Sequence, residues 1–254
     1  PIIGVNHLVG HALTPHMTDD LRYPYLLLLA SGGHCQYLAV LKANKIKRLG
    51  TTIDDAPGEV FDKVAKMLNL PTFSGSEVEK YAKKGNENRF SFPLPLINTN
   101  DCDLSFSGLK SSVRRQVDYL IEKQSGLYES DQMDVCASFQ KSMRIIFENK
   151  TKKAVDLFSK LSSGEKISFS LAGGVAANQN IRSSLKSLCN DLDIIFSAPP
   201  LELCTDNGLM IAYAGTQIYL SGRQDDMGLS PKPRWPIDLD NQKPLGFGKR
   251  GRKV

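Results

Sequence analysis

Two short apolar runs that each end in a pair of glycines limit most strongly what this chain can fold into. Tyr25–Ala30 (Tyr-Leu-Leu-Leu-Leu-Ala) runs into Ser31-Gly32-Gly33, and residues 167–172 run into Gly173-Gly174. Apolar runs of this length bounded by turn residues predict strands buried on both faces. The glycines that follow let the backbone turn tightly and pass close to a neighbour or a ligand. Two more strands are expected over residues 36–41 and 45–49, joined around Ala43-Asn44, and another over 194–197, closed by Pro199-Pro200. Residues 2–5 read as a strand already under way.

Helical spacing alternates with these strands. Val60, Phe61, Val64, Ala65 and Leu68 repeat on one helical face, and Phe139, Met143, Ile146, Phe147, Ala154 and Phe158 do so in a stretch that Asp131 caps. A helix starts near Asn178 and a mostly apolar one covers residues 207–220. Residues 86–102 read as loop. Strands followed by glycine turns and then helices define an α/β protein with ligands held at the strand ends. The expected division is a folded α/β unit over residues 1–221 and a basic, Gly/Pro-rich tail over 222–254.

Composition excludes some classes. The longest apolar run is far too short to cross a membrane, and no secretory signal is visible. Cys35, Cys102, Cys136, Cys189 and Cys204 are scattered and never spaced as CxxC, which fits small buried side chains in a reducing compartment. The formal charge is +5, and Lys243, Lys249, Arg250, Arg252 and Lys253 follow Asn241 with no acid among them. Such a tail either holds nucleic-acid phosphate or serves solubility. The first residue is Pro1, which indicates a processed chain or a fragment lacking upstream sequence.

Chemistry enters with Asn6-His7-Leu8-Val9-Gly10-His11. Residues one helical turn apart share a face, so His7 and His11 can grip one metal ion, and a distant Asp206 would complete a set of two imidazoles and one carboxylate. The pair alone is weak evidence, because HxxxH occurs often without a metal. Zinc peptidases of the HExxH kind need a Glu where Leu8 stands. Asp54, Asp55, Glu59 and Asp62 gather near a helix start. The helix dipole explains the first three, while Asp62 lies one turn in and suits a ribose or the surface equally. Asn178 either caps a helix or bonds a ligand.

In order, NHLVGH (6–11), SGGH (31–34), DDAPGEVFDK (54–63), FSGLK (106–110), AGGVAAN (172–178) and CTDNGLMIA (204–212) closely resemble the threonylcarbamoyl-adenosine tRNA-modification family of the bacterial and mitochondrial TsaD type, once labelled O-sialoglycoprotein endopeptidase. The resemblance runs from Asn6 to Asp238, and Arg234-Trp235-Pro236 with the basic tail is similar to the end of bacterial members. It implies the actin/Hsp70/sugar-kinase (ASKHA, ribonuclease H-like) fold, N-terminally truncated here, with a nucleotide between two α/β subdomains. It implies transfer of a threonylcarbamoyl group from threonylcarbamoyl-AMP to N6 of the adenosine beside the anticodon, in tRNAs that read codons beginning with A.

The resemblance further implies that His7, His11 and Asp206 bind one divalent metal, iron or else zinc. Ala30, Ser31, Gly32, Gly33, His34, Asp62, Gly75, Glu79, Gly173, Gly174 and Asn178 match positions for the nucleotide, ATP or threonylcarbamoyl-AMP. Ser107 and Lys110 match a loop on the tRNA side, and Lys249, Arg250, Arg252 and Lys253 belong to the basic tail. Implied partners are tRNA, a paralogous TsaB-type subunit, a TsaE-type ATPase and a separate threonylcarbamoyl-AMP synthase, in the cytoplasm or the mitochondrial matrix.

Two departures from the pattern stand out. The family carries a further segment before NHLVGH, with an early strand and a Thr-Ser-Cys-Asp-like turn. Its Pro-Gly-Gly-Pro turn reads Phe73-Ser74-Gly75-Ser76 here, which is expected to loosen a ligand-touching loop and lower nucleotide affinity. The other expectations weighed are a non-catalytic family member acting as a scaffold, a sugar-kinase-like phosphotransferase on the same fold, and a metallopeptidase.

Overall fold

A computed structural model of the chain describes residues 2–162, 166–233 and 235–238. Its centre is a five-stranded sheet of β1 (Tyr25–Ala30), β2 (Cys35–Lys42), β3 (Lys45–Thr51), β4 (Ser168–Ala172) and β5 (Ile195–Ser197), in the order β3-β2-β1-β4-β5. β2 runs antiparallel to β1 and β3, whereas β1, β4 and β5 are mutually parallel. The topology follows from the connections. Four turn residues, Ser31 to His34, return the chain into β2, and Ala43-Asn44 return it into β3. The parallel step from β1 to β4 needs the long helical crossover that lies between them.

All six residues of β1 are buried. Strand geometry sends alternate side chains to opposite faces. Leu26, Leu28 and Ala30 enter one core with helices α2 (Pro57–Met67), α3 (Gly75–Ala82), α4 (Ser107–Gln124), α5 (Glu129–Ser159) and α6 (Gln179–Asp191). Tyr25, Leu27 and Leu29 enter the other, with Leu8, Ala12 and Leu13 of α1 (His7–Thr18) and Ala214 of α7 (Gly208–Leu220). Each fully buried leucine contributes about 1.5–3 kcal/mol. The outcome is three layers with β1 at the centre of both cores.

The loop expected over residues 86–102 is irregular, and α5 supplies its polar partners. Lys150, fully buried, donates to Thr99 Oγ1 (2.7 Å) and to the carbonyl of Asp101 (2.9 Å). Lys153 donates to the carbonyls of Ile97 and Thr99.

Three expectations change. Residues 2–5 form no strand; Ile2 makes one isolated bridge to Asp225. The FSGLK segment is not a loop, since Ser107 opens the 18-residue helix α4. Packing also continues past Ser221. Gly4 N donates to Asp225 Oδ2 (2.8 Å), Asn6 Nδ2 to the Trp235 carbonyl (2.7 Å) and Arg48 N to Asp238 Oδ2 (2.9 Å). Lys249, Arg250, Arg252 and Lys253 lie outside the described residues.

Asp131 acts as a cap from inside its helix. Its Oδ2 accepts from Tyr128 N (3.1 Å) and Gln124 Nε2 (2.5 Å), while its Oδ1 faces Arg89 at 2.6 Å. Burial pushes this carboxyl up, but the bonds from Gln124, Arg89 and Tyr128 outweigh it and hold it below its usual range. A depressed carboxyl adds stability above its unfolded value of about 3.9, and that stability is lost as pH falls through the folded value. Asp131→Asn is therefore expected to lower stability by about 1–3 kcal/mol at pH 7. In urea unfolding, the gap between variant and parent should close below about pH 3.9.

Candidate metal centre and glycine-lined cleft

His7 and His11 stand on the first two turns of α1. Asn6 caps that helix, its Oδ1 accepting from Leu8 N at 2.9 Å. Leu8, Ala12 and Leu13 turn inward, which leaves the histidine face directed along the end of α7. The rings meet edge to face with centroids 4.9 Å apart. Asp206 arrives just before α7, whose own cap is Asn207 (Met210 N to Oδ1, 2.9 Å). Asp206 Oδ1 lies 3.3 Å from His7 Nε2 and 3.0 Å from His11 Nε2.

The helices can come this close because residue 10 is glycine. A β-carbon there would stand 2.9 Å from Ile211 Cδ1 and 3.2 Å from Met210 Cγ, both on α7. Thus Gly10 of the NHLVGH run sets the spacing that brings Asp206 to the histidines.

The donor atoms of His7, His11 and Asp206 all lie within 4.8 Å of one another. Two imidazole nitrogens and one carboxylate oxygen suit a divalent transition metal and leave positions open to solvent. His11 Nε2 hydrogen-bonds Asp206 Oδ1, so on this imidazole a metal ligated through Nε2 would take the place of that bond. Burial is the main influence on His11 and lowers its pKa; Asp206 pulls the other way and His7 adds to the lowering. His11 therefore stays neutral, the form that ligates, further into acid than a free imidazole.

A second feature is a cleft of about 330 Å³ at the carboxyl ends of β1 and β4, lined by Gly32, Gly58, Phe61, Asp62, Gly75, Glu79, Gly174 and Asn178 among others. Pockets for small molecules begin at about this size. Gly58, at the start of α2, touches the first glycine turn, since a β-carbon there would be 2.8 Å from Gly32 Cα. Gly173 has φ +90°, and its β-carbon would fall 2.5 Å from the Ala30 carbonyl oxygen, so this position requires glycine. Asp62 Oδ1 accepts from Gly75 N at 3.1 Å, and burial raises its pKa. Asn178 serves as a cap: Oδ1 accepts from Ile181 N (3.0 Å), and Nδ2 donates to Gln140 Oε1 (2.9 Å). Glu79, also buried, accepts from Gln179 N at 3.1 Å.

Of the anticipated nucleotide positions, Gly32, Asp62, Gly75, Glu79, Gly174 and Asn178 come together on this lining. Ala30, Ser31, Gly33, His34 and Gly173 frame the two turns behind it; Ser31 N donates to the His34 carbonyl at 2.8 Å. Phe61 is a wall that sequence reading assigned only to the core. A larger hollow of about 560 Å³ lies beyond Glu79, between α3, α5 and α6. Its cations Lys83, Lys141 and Arg144 are matched by Glu79, Glu87 and Glu148, so it has no charge preference and carries no site chemistry.

Ser107 and Lys110 are engaged internally. Asp54 accepts from Ser105 Oγ (2.5 Å), Phe106 N (2.8 Å) and Ser107 Oγ (2.7 Å), which makes it the cap of α4 rather than a partner for the dipole of α2. Lys110 pairs with Asp55, which also meets Lys63 at 3.3 Å. Burial raises the Asp55 carboxyl, yet the two lysines outweigh this and lower it.

A family model described as "TsaD: tRNA N6-adenosine threonylcarbamoyltransferase" matches residues 1–213. The chain belongs to the tRNA N6-adenosine threonylcarbamoyltransferase family. Relatives of that name from Ruegeria pomeroyi and Jannaschia are 50% and 52% identical over 254 residues, covering 100% of this chain and 69% and 68% of theirs. Among solved structures, full-length HypF in its phosphate- and nucleotide-bound form superposes with TM-score 0.60 at 13% identity, over 91% of this chain and 37% of that one. This likeness concerns the fold, which is of the ASKHA type.

The turn at Ser74 and Ser76, where lower nucleotide affinity is expected, carries its own hydrogen bonds. Ser74 caps α3 by accepting from Glu77 N (3.4 Å), and its Oγ meets Ser76 Oγ at 2.9 Å and Thr72 Oγ1 at 3.1 Å. Hydroxyl hydrogen bonds thus link Thr72, Ser74 and Ser76 along this turn.

One divalent ion per chain is expected to bind, and Asp206→Ala should abolish measurable binding in a calorimetric titration with Zn²⁺ or anaerobic Fe²⁺. Gly10→Val removes no ligand but pushes α7 from α1 by overpacking against Ile211 and Met210. It should weaken binding by about 10- to 100-fold.

Proposed function

We propose that this chain transfers the threonylcarbamoyl group of threonylcarbamoyl-AMP to N6 of the adenosine beside the anticodon, in tRNAs reading codons that begin with A. One observation carries the reading: a member of this family gathers His7, His11 and Asp206, from two helices far apart in sequence, around one point. The donor is an activated mixed anhydride, so placement and charge stabilisation suffice and no protein nucleophile is needed. The N6 lone pair forms a bond to the carbamoyl carbon. The bond from that carbon to the phosphate oxygen breaks with its electron pair, AMP departs, and N6 loses one proton.

In this reading His7, His11 and Asp206 hold one divalent ion, iron or zinc, which supplies Lewis-acid polarisation of the carbonyl when bound. The glycine-lined cleft receives the adenylate. Asp62 and Glu79 are its acceptors for hydroxyl or amino groups, and the Gly32 and Gly174 turns allow phosphate to approach the backbone. Buried Phe61 offers an apolar wall. The basic tail meets tRNA phosphate. A TsaB-type subunit, a TsaE-type ATPase and a separate synthase complete the system in the cytoplasm or mitochondrial matrix. No helix among the described residues is long and apolar enough to cross a membrane.

The test is transfer of labelled threonylcarbamoyl from supplied adenylate to unmodified tRNA, with and without the candidate subunits. Transfer is expected to require Asp206 and to fall by at least about 100-fold in Asp206→Ala, on the scale of losing a principal charge-stabilising group. Equal transfer by the variant would remove the metal set from the mechanism. No transfer with every partner present would favour a scaffold role.

A further inference from the structure

The hairpin of β2 and β3 carries three exposed lysines, Lys42, Lys45 and Lys47, and none has a carboxylate partner among the described residues. Lys42 and Lys45 stand directly opposite each other in the ladder, on either side of the two-residue turn Ala43-Asn44. Like charges in this position repel and destabilise a hairpin. Lys110, expected on the tRNA side, contrasts with this, because it is paired with Asp55.

Lysines on an edge strand commonly prevent pairing between molecules, and that accounts for Lys47. It does not account for the opposed Lys42 and Lys45, because one charge at the turn would block an incoming strand as well. Nor does the edge need further protection. Residues 102–104 cover its upper part, where Leu104 N donates to the Thr51 carbonyl (3.0 Å) and Thr51 N to Asp103 Oδ1 (3.0 Å). Asp238 occupies the Arg48 amide at 2.9 Å. The lysines are thus an uncompensated cationic cluster on a rigid, twice-anchored hairpin.

The Ala43-Asn44 turn shares a small pocket with Asn6 and Trp235, and Asn6 caps the helix whose first residue is His7. The ribbon alternates, so Ile46 fills the core beneath α1 while Lys45 and Lys47 point the other way. Lys45 and Lys47 thus lie on the face turned away from α1 and at the Tyr25 end of the sheet, opposite the glycine-lined cleft, where only a ligand much longer than the adenylate could meet them. A folded RNA does this, because it presents phosphates over tens of ångströms while one base reaches the active centre.

We infer that the Lys42–Lys45–Lys47 face of the β2–β3 hairpin is a phosphate-contact surface for the tRNA substrate, relieving the opposed lysine pair when bound. The inference rests on the transferase reading above. It assigns these lysines to positioning the RNA, with no part in the chemistry.

The test uses the full chain with Lys42→Gln, Lys45→Gln and Lys47→Gln combined, beside a triple Lys→Arg variant that keeps the charge. Unmodified tRNA binding is measured across a range of KCl concentrations. The Gln variant is expected to show a log Kd against log salt slope shallower by about 2, and a Kd about tenfold weaker near 0.1 M salt. The Arg variant should bind as the parent does. Metal stoichiometry equal to the parent's in both variants shows that the fold is intact. An unchanged slope and Kd in the Gln variant, whether or not it has lost a protein partner, overturns the hairpin assignment and leaves the transferase reading standing. A parent that shows no salt-dependent binding of tRNA overturns both.

Discussion

The contact between α1 and α7 at Gly10 is the constraint on which the candidate site depends. The metal-type donors are separated by 195 positions, and no local interaction could bring them together. Two capped helices do so because one lacks a side chain where the other must pass. The same two helices cover one face of the sheet, so the packing that completes one core also fixes the donor set. Fold and site share a single interface.

The second organising element is the pair of glycine turns after β1 and β4. Parallel neighbours place their ends side by side, so Gly32 and Gly174 face one space although more than a hundred residues separate them. Gly173 makes the approach possible by sitting against the Ala30 carbonyl with a backbone angle that other residues resist. The acids around this space divide the work. Asp54 and Asp55 are consumed in fixing α4, whereas Asp62 and Glu79 turn toward the cleft.

Much of this was readable in the sequence, and the remainder was hidden for identifiable reasons. Apolar runs bounded by glycine or proline gave β1, β4 and β5 nearly to the residue, because full burial leaves a continuous signature. The histidine face of α1 was readable from spacing. Helix α4 was not recognised, though Leu109, Val113, Val117 and Leu120 keep helical spacing; its cap is Asp54, which no local motif reveals. The short helix α3 buries only a few side chains, too few to repeat. The segment after Ser221 attaches through a few hydrogen bonds at Asp225, Trp235 and Asp238 to partners distant in sequence, and its Gly, Pro and charged composition resembles a tail. Asn178 is the opposite case, where the helix-capping rule alone supplied the role the structure bears out.

The attachment of Asp238 to the Arg48 amide also bears on how the molecule behaves at high concentration. A sheet has two rims, and unpaired amides along a rim invite other chains to extend it. On one side a carboxylate and a crossing segment already use part of the β3 backbone, with lysines between them. On the other, β5 is only three residues long. Neither rim offers a long, neutral template, so the fold is protected against sheet-to-sheet association even with a central strand of unbroken hydrophobicity.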